Sequence, residues 1–180
     1  MVSLFHDRVF IRTGDITKES LDVIVNAANG SLMGGGGVDG AIHRAGGPAI
    51  LEECKKIRQT ELPDGLPDGE VVITTAGNLP CKNVIHTVGP RWAGGNSGEP
   101  EKLADCYRNS LMLAKKKGLK SIGFPAISTG VFGYPPDLAA VVSSTVVRDF
   151  LADNDIPHVV NFIFFGTLDM ETFLEHCVLV

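Results

Sequence analysis

The sequence predicts an α/β fold: a single three-layer α/β/α domain, residues 1–180, on a largely parallel sheet. Three observations carry this. Short apolar runs alternate with helical patterns along the whole chain. A length of 180 residues suits one domain, able to bury roughly 70% of the surface its unfolded chain exposes. Finally, loops of glycine and small polar residues at Asp15, at Asn26 to Asp39 and at Ser128 to Gly133 each follow a strand-like run. In such sheets the ligand crevice lies outside the carboxyl ends of the strands.

In chain order, Val9-Phe10-Ile11-Arg12 reads as a short strand, and Gly14-Asp15-Ile16-Thr17 as the turn leaving it. Leu21 to Ala27 is apolar enough for a central strand covered on both faces. A helix is expected from Val38 to about Ala45, and another from Pro48 with Ile50, Leu51, Cys54 and Ile57 inward. Gln59 to Gly69, with two Pro-Asp-Gly triplets, is a turn-rich loop. Strands follow at Glu70 to Ala76 and Asn83 to Val88, then a loop from Gly89 to Glu99. Pro100 opens a helix with Leu103, Tyr107, Leu111 and Ala114 inward, and Gly118 stops it. Ser121 to Ala126 is a buried strand. Asp137 to Ala152 is a helix with Leu138, Val142, Val146 and Phe150 on its core face. Val159 to Phe165 is the last strand and Met170 to Cys177 the closing helix.

Composition narrows the partners. Net charge is -5 with no basic stripe, which disfavours a nucleic-acid backbone. No apolar run reaches the ~18 residues needed to span a bilayer, and the early Asp7 and Arg8 break any secretory leader. A cytoplasmic protein is expected. Cys54, Cys81, Cys106 and Cys177 are widely spaced without a C-x-x-C pair, so they read as reduced thiols. No cluster shows metal-ligand spacing, and no cofactor is implied.

The chemistry concentrates in two loops. Gly34 to Gly37 precedes a helix, so bare N–H groups converge beside the positive end of a helix dipole, an arrangement that suits a phosphate. It is neither a P-loop nor a dinucleotide fingerprint, since no Gly-Lys-Ser/Thr and no partner acid follow. Ser128-Thr129-Gly130-Val131-Phe132-Gly133 forms a second cradle with two hydroxyls, and two facing cradles suit a diphosphate. Asp15 reads equally as a helix cap or as acceptor for an exocyclic amine or ribose hydroxyl. Asn26 reads as a tie for loop backbone, and Asn29, nearer the glycines, as the functional amide. A first-turn acid such as Asp39 stabilises a helix with no further role. Beside a phosphate site, however, a carboxylate is costly unless it positions or deprotonates a water. Phe132 and Phe165 are candidates to cover a sugar or base, with core packing the plainer reading for Phe165. His43 and His86 read as structural hydrogen-bonders, and no nucleophile elbow supports a triad hydrolase.

Four motifs in order resemble the macrodomain family, MacroD-type branch: Gly14 to Thr17, Val25 to Asn29, Gly34 to His43, and Pro125 to Gly133. His86-Thr87-Val88-Gly89-Pro90 also matches. The resemblance implies a mixed, mainly parallel, six-stranded sheet between helices, with ADP-ribose as ligand. By the same resemblance, Asp15 holds the adenine amine and Ile16 packs beside the base. Gly36, Gly37 and Val38 line the first phosphate loop, and Ser128, Thr129, Gly130, Val131 and Phe132 the second. Asn29 and Asp39 lie at the distal ribose, which Phe132 covers, and Phe165 matches an aromatic position near adenine. Gly166 to Asp169 departs most from the family pattern.

The activity implied is hydrolysis of ester-linked ADP-ribose: deacetylation of O-acetyl-ADP-ribose and removal of mono-ADP-ribose from Asp or Glu of modified proteins. Glycosidases use a second carboxylate to protonate the leaving group. One carboxylate suffices when the leaving group is itself an acid. The alternatives are a non-catalytic ADP-ribose reader and an ADP-ribose 1″-phosphatase.

Overall fold

The computed structural model describes Met1 to Val180. Seven strands form one sheet in the order β1-β2-β7-β6-β3-β5-β4. They are β1 (Val2–Leu4), β2 (Val9–Thr13), β3 (Val23–Ala27), β4 (Val71–Thr75), β5 (Asn83–Thr87), β6 (Ser121–Phe124) and β7 (Val159–Phe164). The strands from β2 to β5 in that order are parallel, and only the edge strands β1 and β4 run antiparallel. Six of these are the expected strands. The seventh, β1, pairs through only three residues, Val2 with Ile11 to Leu4 with Val9. It turns back through Phe5, His6 and Asp7, all with positive φ, a conformation uncommon outside glycine, which His and Asp adopt more readily than Phe.

Helices α1 (Gly37–Gly46) and α2 (Pro48–Thr60) cover one face, and α3 (Glu99–Lys116), α4 (Pro136–Asp153) and α5 (Thr167–His176) the other. Alternate residues of one strand feed opposite cores, as the pleat requires. Val23 and Val25 join Leu111, Phe124, Val147 and Phe162 on one side. Ile24 joins Ile42, Ile50, Cys54 and Val84 on the other. Buried on both faces, β3 is therefore continuously apolar until Asn26. Cys54, Cys81, Cys106 and Cys177 are free thiols, the first three buried. No helix is long and apolar enough to cross a membrane.

Two helices differ from expectation. In α4 the buried residues are Ala139, Ala140, Ser143, Ser144, Val146, Val147 and Leu151, while Leu138 stays 45% exposed. Helices flank α4 on both sides, and small residues allow that close approach. The Ser143 and Ser144 hydroxyls bond back to Ala139 O at 2.8 Å and Ala140 O at 2.5 Å, so they enter the core satisfied. Helix α5 begins at Thr167 rather than Met170.

Candidate active site

Because β2, β7, β6 and β3 are parallel neighbours, the loops leaving them emerge at one edge of the sheet. Their order there is Asp15 after β2, Phe165 after β7, Ser128 to Gly133 after β6, and Asn29 to Val38 after β3. An elongated ligand would meet them in that sequence.

The first loop is pinned by Asn29, whose Nδ2 donates to Gly34 O at 2.9 Å while Oδ1 accepts from Ser31 N at 3.1 Å. Gly34 and Gly37 take left-handed φ values of 93° and 58°, which a glycine adopts without strain. Gly40 in α1 presses on the loop so closely that a Cβ there would lie 2.5 Å from Gly35 O. At Gly36 and Gly37 the opposite holds: a Cβ would meet nothing within 4 Å. These two glycines face open space at the N-terminus of α1, leaving room for a ligand rather than relieving a clash inside the protein. The N–H groups of Gly35 to Val38 bond to nothing in the protein.

Asp39, only 5% exposed, lies just behind. Its Oδ1 accepts from Asn26 Nδ2 at 2.8 Å and stands 3.4 Å from His43 Nε2. Its Oδ2 approaches Gly35, where a built Cβ would come within 3.1 Å of it and within 3.3 Å of Asn29 Nδ2. Asp39 and Asn29 therefore converge on Gly35. The two asparagines divide their tasks differently from the sequence reading. Asn29 is the backbone tie, and Asn26, 0% exposed, holds the acid directly. The contact His43 makes is with the acid itself: four residues beyond Asp39, it shares that acid's helix face. That i,i+4 spacing was the signal in the sequence.

The second loop turns at Ser128, whose φ is 67°. Tyr134 N donates to Ser128 O at 2.9 Å and Gly133 N to Gly130 O at 3.0 Å, closing it. Both hydroxyls expected to face an anion turn inward. Thr129 Oγ1 donates to Ala126 O at 3.3 Å, and Ser128 Oγ is buried without a hydrogen bond, packed towards Gly89. What the loop offers is main chain: the N–H groups of Thr129, Gly130, Val131 and Phe132 are unused by the protein. Val131 is 97% exposed. Phe132 is held by Trp92 N, which donates to its carbonyl at 2.8 Å, and by the Arg91 guanidinium, 4.5 Å from the ring centroid.

At the other end, Asp15 caps the 3₁₀ turn Ile16–Lys18: Oδ1 accepts from Thr17 N at 3.0 Å and Thr17 Oγ1 at 2.6 Å. The Thr17 hydroxyl bond, chiefly, lowers its pKa. The capping bonds fall on one oxygen and the side chain is exposed, so the cap and a ligand contact are compatible. Ile16 is buried in the α1–α2 core. Phe165 is 95% exposed, so core packing is not its role.

Beyond Asn29 and Phe132 a cleft of about 530 Å³ opens, walled also by Asp68, Arg91 and Lys102. The sequence reading missed what shapes it. Glu99 at the head of α3 accepts from the N–H groups of Ala93, Gly95 and Ser97 at 2.9, 2.8 and 2.7 Å. Those bonds, led by Ala93's, lower its pKa to about 2.

The profile of the Macro domain family matches residues 25–143. An O-acetyl-ADP-ribose deacetylase of Citrobacter koseri is 56% identical over 156 residues, covering 87% of both chains. A macro domain-containing protein of Methanosarcina mazei is 55% identical, covering 86% of this chain and 79% of its own. Among solved structures, a point mutant of the Oceanobacillus iheyensis macrodomain with ADPR superposes with a TM-score of 0.89 at 50% identity, covering 92% of this chain and 89% of that one. A Trypanosoma brucei macrodomain in complex with ADP-ribose gives 0.85 at 39% identity, covering 94% and 68%. With its motif order, sheet topology and these likenesses in agreement, the chain belongs to the macrodomain family.

Proposed function

We propose that this protein, one macrodomain over residues 1–180, hydrolyses ester-linked ADP-ribose. It would deacetylate O-acetyl-ADP-ribose and remove mono-ADP-ribose from Asp or Glu side chains of modified proteins. The observation that carries the reading is Asp39, a buried carboxylate anchored by Asn26 and His43, with Oδ2 directed to the glycine loop that Asn29 braces. A first-turn acid stabilises its helix even in a pure binding module, but burying one beside an anion cradle is costly and is repaid where the acid positions or deprotonates a water.

In this reading, the N–H groups of Gly35 to Val38 and Thr129 to Phe132 grip the diphosphate from two sides. Asp15 and Phe165 flank the adenine, with Ile16 beneath it, and Phe132 covers the distal ribose. Asp39 and Asn29 hold water at that sugar. Attack of that water at the anomeric carbon breaks the sugar C–O bond of an ester there, and the carboxylate departs as a stable anion, so no second acid has to protonate it. The cleft past Asn29 and Phe132 far exceeds an acetyl group and leaves room for a protein side chain. Free thiols suit a cytoplasmic setting.

Turnover compared on O-acetyl-ADP-ribose, a Glu-linked mono-ADP-ribosylated protein and ADP-ribose 1″-phosphate tests the proposal. Release of acetate and of free ADP-ribose is expected. Tight ADP-ribose binding with no product from any substrate would leave only a reader.

A further inference from the structure

Behind Asp39, a chain of buried side chains crosses the sheet. Asn26 on β3 and His86 on β5 are register partners on adjacent parallel strands. Asn26 Nδ2 lies 2.8 Å from Asp39 Oδ1 and 3.0 Å from His86 Nδ1. His86 Nε2 lies 2.9 Å from Thr74 Oγ1 on β4. Asn26 and His86 are 0% exposed and Thr74 2%.

The direction of each bond follows from the Asp39 carboxylate, which only accepts: Asn26 must face it with Nδ2, whose second proton points to His86 Nδ1. At the far end the Thr74 hydroxyl has Thr75 O within 2.9 Å to take its proton, which leaves it free to accept from His86. His86 therefore carries its proton on Nε2 and presents a bare lone pair at Nδ1. That lone pair takes one amide proton of Asn26, and the Asp39 carboxylate takes the other. Asn26 Oδ1 is left buried without a partner, an unfavourable state that the two donated bonds offset. Turning the amide over would bring that oxygen against the Asp39 carboxylate. Burial, with His43 nearby, drives the His86 pKa down to about 3, so the ring stays neutral and its acceptor persists at working pH.

We propose that His86 is a positioning residue of the site: through Asn26 it fixes the direction in which Asp39 presents its carboxylate to the glycine loop. The inference rests on the hydrolase reading for its effect on rate. Losing the Nδ1 acceptor frees the Asn26 amide to rotate, and Asp39 loses its strongest donor while the phosphate loops are untouched.

The test pairs His86→Leu with His86→Asn, because an asparagine carbonyl can occupy the place of Nδ1 whereas leucine fills space only. ADP-ribose affinity should stay within about threefold in both. Turnover number on O-acetyl-ADP-ribose should fall at least tenfold in His86→Leu, with KM little changed, and recover to within about threefold in His86→Asn. Equal turnover in His86→Leu and wild type overturns the proposal, as does failure of a folded, ADP-ribose-binding His86→Asn to recover. Independently, ¹⁵N NMR of the wild-type imidazole should show a neutral ring protonated on Nε2 between pH 5 and 8. A proton on Nδ1, or a charged ring, overturns it whether or not either variant folds. An inactive wild type would instead sink the hydrolase reading, with the NMR result still deciding the relay.

Discussion

His43 Nε2 stands 3.4 Å from Asp39 Oδ1, one turn further along the same helix, while Asn26 bonds that same oxygen. All fixing contacts thus fall on Oδ1. Asp39→Ala should lose about 100-fold or more in turnover, the range for a positioned acid–base group, yet bind ADP-ribose within a few-fold. His43→Ala should lose less, again with affinity kept. Steady-state kinetics beside calorimetric titration of ADP-ribose checks both; full turnover by Asp39→Ala would refute the role given to the acid.

Gly40→Ala is expected to damage both stability and binding. Its Cβ would sit 2.5 Å from Gly35 O, a backbone atom that cannot swing aside. Forcing the loop away should cost about 1–3 kcal/mol and spread the N–H groups of the first cradle. Denaturant unfolding and ADP-ribose titration read the two effects; a variant unchanged in both would show the contact to be soft.

Ser128→Ala should be neutral or stabilising, because the hydroxyl it removes is buried without a partner. Since the loop offers main-chain donors, ADP-ribose affinity should change by less than about twofold. Affinity reduced tenfold or more would mean that the hydroxyl turns to meet the ligand.

Glu99→Gln should melt lower than wild type at pH 7. The folded pKa of Glu99 is about 2 against an ordinary 4.5. A depressed acid contributes stability above its unfolded pKa and loses it as pH falls through the folded one. The gap in melting temperature should therefore be full above pH 4.5 and close towards pH 2. A gap constant from pH 7 to 3 would point to packing instead.

Much of this was legible because parallel strands leave a double signature: apolar runs such as Val23-Ile24-Val25, and loops gathered at one edge. The glycine cradle and Asp39 announced themselves by composition. Side-chain direction did not. Nothing local tells that Ser128 and Thr129 turn their hydroxyls inward, or that Asn26 grips the acid. The Asn26–His86 pairing joins residues 60 apart and exists only through strand register. Strand β1 depends on three successive left-handed residues, a run that single-residue preferences do not foretell.

Neither of the two loops with unused main-chain N–H groups, 34–38 and 128–133, contains a lysine or arginine, and the protein as a whole carries a charge of -5. Peptide dipoles act over a few ångströms, whereas the net charge acts at long range and is what dissolved ions screen. Added sodium chloride should then leave retention of a doubly charged nucleotide sugar intact, or even speed its arrival by damping the repulsion it meets on approach. A pocket built on cations would respond in the opposite sense.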